Sequence, residues 1–222
     1  MTVRSRIRVT GIVQGVGFRP FVHGVAAGLG LTGFVGNDGS GVFIEAEGSE
    51  QAVAALVAAL RERPPPLACV TGVTAHGVPV RGGTGFGISA STAGGQRAAL
   101  VAADTATCAD CLAELRDPAD RRYRHPFITC TNCGPRFTIV TGVPYDRAAT
   151  TMAAFPMCAA CAAEYHDPAD RRFHAQPVCC PDCGPALRFT GGSGDPVKAA
   201  AAALRAGAVL AVKGLEIGRA HV

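Results

Sequence analysis

The chain has no tryptophan, and only three tyrosines and three methionines among 222 residues. So few large aromatics leave little for an RNA-stacking surface. Phe34, Phe43 and Phe86 are the main aromatics of the predicted strands, and periodicity does not place them on one face. Long apolar runs are also missing. A membrane span needs roughly 18 or more apolar residues, and the best approach, Ala199 to Val212, is broken by Arg205. The opening stretch, Met1 to Thr10, is charged and has no apolar centre, so it does not read as a secretory leader. Charge of one sign is weak too. The formal balance is +4, with small arginine clusters only at Arg121–Arg122 and Arg171–Arg172. A nucleic-acid binder shows a basic stripe. These absences predict a cytoplasmic protein that engages neither a membrane nor a nucleic acid.

What is abundant is glycine (28), proline (15) and cysteine (10). Residues 1–91 read as one α+β unit. Arg6 to Val13 is β-rich. Pro20 to Leu29 places Phe21, Val25 and Leu29 on one helical stripe, with Pro20 at the first helical position, where no N–H is needed. Leu31 to Gly36 and Gly41 to Ala46 read as strands around the hairpin signal Asn37-Asp38-Gly39-Ser40. Ser49 suits an N-cap for a helix to Arg63, stopped by Pro64-Pro65-Pro66, and its inner face is Val53, Leu56, Val57 and Leu60. Short strands follow near 68–75 and 86–90. The order β-α-β-β-α-β is the ferredoxin-like arrangement. Cys69 reads as a small buried residue in one of these strands.

Ala93 to Arg97 reads as a linker into residues 98–190, which repeat with a period of fifty. Cys108-Ala-Asp-Cys111 aligns with Cys158-Ala-Ala-Cys161. Asp117-Pro-Ala-Asp-Arg-Arg122 recurs as Asp167-Pro-Ala-Asp-Arg-Arg172, and Cys133-Gly-Pro135 as Cys183-Gly-Pro185. Three matches at one offset mark a tandem duplication, with units 108–133 and 158–183. Four Cys-x-x-Cys pairs result: Cys108/Cys111, Cys130/Cys133, Cys158/Cys161 and Cys180/Cys183, separated by 18, 24 and 18 residues. Thiolate pairs at this spacing grip a zinc edge, and two pairs complete a closed tetrahedron. Eight ligands therefore predict two structural zinc ions. Two pairings are open: each unit closes on itself, as duplication favours, or the first pair joins the fourth and the second the third. The repeat aligns Cys180 with Cys130 and so leaves Cys179 outside the ligand set. Residues 98–190 read as scaffold between catalytic domains.

Chemistry enters at Gly11-Ile-Val-Gln-Gly-Val-Gly-Phe-Arg-Pro20, where a strand meets a helix. Gly15 and Gly17 let the backbone turn its N–H groups toward one spot at a helix N-terminus, which favours an anion. Arg19 adds a planar cationic fork that matches phosphate oxygens. A Gly-rich turn alone more often means only a tight turn. His23, one turn into the helix, reads as a structural histidine. The string Val13-Gln-Gly-Val-Gly-Phe-Arg19 resembles the acylphosphatase signature, and Gly33-Phe-Val-Gly-Asn37 resembles that family's second motif. The resemblance covers 1–91. It implies a phosphate-binding loop of Gln14, Gly15, Val16, Gly17, Phe18 and Arg19. Arg19 would hold the phosphoryl group and Asn37 would orient the attacking water.

An acylphosphatase-like domain followed by this duplicated cysteine frame resembles the amino-terminal order of the HypF family, the carbamoyltransferases that mature [NiFe]-hydrogenases. Ala206 to Leu215 resembles the opening of a YrdC-type domain, expected over 195–215, and 216–222 resembles a non-native tail on a shortened gene. The family implies hydrolysis of carbamoyl phosphate or a related acyl phosphate by residues 1–91. It implies ATP and the partner HypE only for a full-length protein, in synthesis of the cyanide ligand, with adenylation and transfer outside this chain. Two other readings stand beside it: a stand-alone acylphosphatase with a zinc appendage, and a zinc-stabilised RNA-binding module.

Overall fold

The computed structural model describes residues 1–92, 98–213 and 219–221. The linker 93–97, residues 214–215 of the stretch expected over 195–215, and 216–218 and 222 of the tail expected over 216–222 lie outside the described residues. The first unit is an α+β domain. Its elements are β1 (Thr2–Ile12), α1 (Phe18–Gly28), β2 (Thr32–Asp38), β3 (Gly41–Ser49), α2 (Glu50–Glu62), β4 (Cys69–Val78) and β5 (Phe86–Ile88). The sheet order is β4-β1-β3-β2-β5. The first four strands pair antiparallel, and β5 adds a fifth, parallel to β2 at the far edge, beyond the predicted ferredoxin-like set.

The helices cover one face of the sheet because the strands alternate. Ile7 and Val9 of β1, Val35 of β2, and Val42, Ile44 and Ala46 of β3 meet Val22 and Ala26 of α1 and Leu56 and Leu60 of α2 in one buried core. Ser49 caps α2 by accepting from the Ala52 N–H at 3.1 Å. The β2–β3 hairpin turns at Gly39-Ser40, which fixes Asn37 at the strand end opposite Val42.

The other face is polar and charge-paired. Phe34 and Phe43 share this face, edge to face at 6.2 Å and diagonal across the β2–β3 pair, while Phe86 packs against the core, so the three do not lie on one face. The arginines around them are tied down. Arg4 bonds Glu45 and Glu47, Arg6 bonds Glu45 at 2.7 Å, and Arg8 bonds Asp38 at 2.6 Å. A face whose cations already hold carboxylates is poorly suited to phosphate backbones. Cys69 is a second correction: it begins edge strand β4 and is exposed, because β4 has no outer neighbour to cover it.

The second unit carries little regular structure. Two matching helices, α3 (Ala109–Arg116) and α4 (Ala159–His166), each begin one residue after the first cysteine of their motif. After them come α5 (Pro196–Arg205), capped by Asp195, and a small antiparallel pair, β6 (Ala211–Lys213) with β7 (Arg219–His221). None of α5's residues is buried. No helix among the described residues is long and apolar enough to cross a membrane.

The Arg4–Glu45–Glu47 cluster makes the fold pH-sensitive. Arg4 holds Glu45 below its ordinary range, against the opposing effect of burial, and Arg6 adds to this. The Arg81 and Gly82 N–H groups do the same for Glu47. A carboxylate depressed in the folded state stabilises it above the unfolded value near 4.5, and that contribution is lost as pH falls through the folded value. Glu45→Gln is therefore expected to lower the melting temperature at pH 7. The gap to the parent protein should narrow steadily below pH 4.5, followed by circular dichroism. A gap independent of pH would contradict this reading.

Candidate active site and metal centres

The turn between β1 and α1 is left-handed at two glycines, Gly15 (φ 72°) and Gly17 (φ 75°), and Gly17 is the N-cap position of α1. The first N–H groups of α1 therefore lack intrahelical partners and face the cleft mouth. Val16 and Phe18 send their side chains into the core, so what they offer an anion is backbone N–H. Gln14 is a pin. Its amide nitrogen donates to the Asp38 and Gly41 carbonyls at 2.8 and 2.9 Å, and its oxygen accepts from the Tyr145 N–H at 2.8 Å. Its side chain has no free group for a ligand.

Arg19 and Asn37 line one small cleft with Gly15 and Gly17. Arg19 is nearly buried; one guanidinium nitrogen lies 2.8 Å from Asp146 and another 3.4 Å from the Ser91 hydroxyl. Asn37 is 1% exposed, and its Oδ1 has no hydrogen-bond partner among the described residues. A buried polar atom left unpaired costs about 1–3 kcal/mol, so this oxygen marks a place built for a donor. Two more residues that line the same cleft carry such an atom, Tyr145 at its hydroxyl and His174 at Nδ1.

The roof of the cleft comes from the cysteine-rich unit, so that unit is more than scaffold. Arg136 donates from Nε to the Gly15 carbonyl. The Tyr145 ring stands where a Cβ on Gly15 would come within 3.1 Å, and Thr131 crowds Gly17 at 3.3 Å. These glycines thus serve close approach as well as the turn. Burial pushes the Tyr145 hydroxyl up to about 12. Burial, and then the charge of Arg19, pull His174 down to about 4, so its imidazole is neutral at physiological pH. Sequence reasoning missed Arg136, Tyr145, Asp146 and His174. His174 carried a faint signal: it lies where the two repeats stop agreeing, since its counterpart is Arg124. His23 packs its ring on Phe173 at 5.5 Å.

The eight motif thiols gather by repeat, Cys108, Cys111, Cys130 and Cys133 in one group, Cys158, Cys161, Cys180 and Cys183 in the other. Sulfur–sulfur separations of 3.5–3.7 Å in the first and 3.7–3.8 Å in the second are far longer than a disulfide. They match the edges, about 3.8 Å, of a tetrahedron with Zn–S bonds near 2.3 Å. Both groups fit a zinc ion, and four sulfurs leave no open coordination position. When bound, the metal supplies cross-linking. Cys179 stays outside, near His125 at 3.4 Å, and burial raises its thiol to about 11.

The repeats also hold each other. Arg121 and Arg122 of the first bond Glu164 of the second, and Arg121 reaches Cys161 Sγ at 2.7 Å. Arg171 and Arg172 of the second bond Glu114 of the first, and Arg171 reaches Cys111 Sγ at 3.3 Å. Arg122 Nε donates to the Cys179 carbonyl and Arg172 Nε to that of Thr129, again fifty residues apart. A four-thiolate zinc centre carries net negative charge, and these guanidinium groups offset it from outside the ligand shell.

Comparison with known proteins follows this division. The acylphosphatase family model matches residues 5–88, and the model described as HypF finger matches 107–140 and 157–190. An acylphosphatase of Caldivirga maquilingensis is 51% identical over 73 residues, covering 32% of this chain and 76% of the relative. Over residues 5–88 the chain belongs to the acylphosphatase family. A carbamoyltransferase HypF of Rhodobacter capsulatus is 53% identical over 219 residues, covering 95% of this chain and 28% of the relative. A crystal structure of full-length HypF in its phosphate- and nucleotide-bound form superposes with a TM-score of 0.93 at 49% identity, covering 97% of this chain and 29% of that one. The acylphosphatase domain with its two fingers thus matches the amino-terminal region of HypF. The chain spans less than a third of the length of those carbamoyltransferases.

Native mass spectrometry is expected to find two zinc ions per chain, and one in the Cys111→Ser variant. Arg122→Ala leaves Glu164 and the Cys179 carbonyl short of a buried partner. It should cost about 3 kcal/mol of unfolding free energy and speed zinc loss to a chelator. Unchanged release kinetics would show the clasp to be dispensable.

Proposed function

We propose that residues 1–91 hydrolyse carbamoyl phosphate as the first step of a carbamoyltransferase reaction. Residues 98–190 act as the tandem zinc domain roofing that site, and 195–215 open a further domain. The observation that carries the reading is Asn37 Oδ1, buried and unpartnered in the same cleft as the Arg19 guanidinium. Phosphoryl transfer asks for positioning and charge stabilisation more than covalent help. Backbone N–H groups of the 14–19 loop and the Arg19 fork take the equatorial phosphoryl oxygens. Asn37 Oδ1 accepts a hydrogen bond from a water and points its oxygen lone pair at phosphorus. The new P–O bond forms as the bond to the carbamoyl oxygen breaks, and phosphate and carbamate leave. Carbamate is a good leaving group, so the step does not require a metal. The zinc ions lie in closed thiolate shells and take no part in it.

In the longer relatives' frame, the carbamate passes to an ATP-dependent adenylation and then to HypE, toward the cyanide ligand of [NiFe]-hydrogenase, in the cytoplasm. The family matches support that placement, and the ion-paired sheet face disfavours RNA binding.

Phosphate release from carbamoyl phosphate tests the proposal. Arg19→Ala and Asn37→Ala are each expected to lower the rate on the order of 100-fold or more while retaining both zinc ions. Parent and Arg19→Ala proteins that release phosphate equally, at the spontaneous rate, would remove the assignment.

A further inference from the structure

Three residues that line the cleft each carry a buried polar atom without a partner among the described residues, and two of the three belong to the cysteine-rich unit rather than to the acylphosphatase domain. The Tyr145 hydroxyl comes from the segment joining the two repeats. His174 Nδ1 comes from the second repeat, in the stretch Phe173-His-Ala-Gln-Pro177. Its counterpart in the first repeat is Tyr123-Arg-His-Pro-Phe127. The two stretches follow the same Asp-Pro-Ala-Asp-Arg-Arg string and share a left-handed residue at the same place, Arg124 (φ 56°) and His174 (φ 54°). The backbone conformation therefore belongs to the repeat and says nothing about function. The side chains do differ. Arg124 extends outward to Asp195 at 3.4 Å, whereas His174 turns into the cleft beside Arg19.

The surroundings hold His174 in place without satisfying its ring. Tyr165 and Phe173 pack on it, with ring centroids at 5.0 and 4.6 Å, and Gln176 bonds its backbone carbonyl at 2.8 Å. Tyr145 is equally fixed, fully buried against Gly15 with its backbone N–H on Gln14. A protonated phenol donates one hydrogen bond, and a neutral imidazole always has one nitrogen that accepts.

We propose that Tyr145 and His174 form an acyl-group subsite that selects a carbamoyl over an acetyl group, the Tyr145 hydroxyl donating to the acyl carbonyl and His174 Nδ1 accepting from the –NH2. The inference rests on the phosphate-binding role of Arg19 and the loop. Given that role, the acyl end lies toward the roof, where these two atoms are. An acetyl group also offers the carbonyl, but it puts a methyl against Nδ1 and leaves that nitrogen unpaired. One hydrogen bond made or lost in such a place corresponds to about tenfold in affinity.

Binding of two non-hydrolysable probes, carbamoylphosphonate and acetylphosphonate, measured by calorimetry on the whole zinc-loaded chain, tests this apart from turnover. The parent protein is expected to bind the carbamoyl probe about tenfold more tightly. His174→Gly keeps the left-handed backbone, and should bring the ratio of the two affinities to near one. Tyr145→Phe keeps the ring against Gly15, and should weaken both probes with the ratio preserved. Arg19→Ala should abolish binding of both. A parent ratio of one overturns the subsite whatever the variants do, while binding lost in Arg19→Ala would leave the phosphate site standing. A ratio unchanged in His174→Gly also overturns it. If neither probe binds the parent protein, the phosphate-site reading fails and the subsite fails with it.

Discussion

Arg136 commits all five of its N–H donors to backbone carbonyls. Four go to Cys130, Thr131, Cys133 and Pro135 in the knuckle around the first thiol cluster, and the fifth goes to Gly15 in the turn between β1 and α1. It is 1% exposed, and a buried guanidinium without acceptors would be strongly unfavourable. The knuckle and the loop therefore hold their shapes together. The zinc-bound loop sets the carbonyls, the carbonyls set the guanidinium, and the guanidinium fixes the turn that opens α1. Tyr145 reinforces the joint through Gln14. Loss of metal from the first cluster would thus bear directly on the Gly15–Gly17 turn.

The duplication works by exchange. Each repeat supplies an arginine pair to the other's glutamate and cysteine, so neither is complete alone. Small zinc units bury little apolar surface, and two units that clasp each other hold their relative orientation better than two beads on a string. That rigidity lets the second repeat carry His174 to a cleft in another domain. Once the shared frame is fixed by Asp-Pro-Ala-Asp-Arg-Arg and the cysteines, residues 173–177 are free to diverge from 123–127.

Much of this was legible beforehand. The alternation in β1 and β3, the Ser49 cap and the Asn37-Asp38-Gly39-Ser40 turn are local signals, and each became the expected element. The cysteine pairs and their fifty-residue period are local as well. Other features were not legible. Cys69 was misread because exposure depends on whether a strand lies at an edge. That Phe34 and Phe43 meet while Phe86 turns to the core depends on cross-strand register. Gln14 stood in a phosphate-binding string, yet its side chain serves as a pin, a choice made by partners 24, 27 and 131 residues away.

Sequence alone determined the candidates: Arg19 and Asn37 beside a Gly-rich turn, and eight thiols in four spaced pairs. Short-range spacing fixes these through backbone geometry, with no need for the rest of the chain. Tertiary structure decided how the thiols group, that the repeats exchange arginines, and that Arg136, Tyr145, Asp146 and His174 close the cleft. Those outcomes depend on contacts between residues 22 to 131 positions apart. No local pattern encodes such contacts, because packing of the two domains selects them.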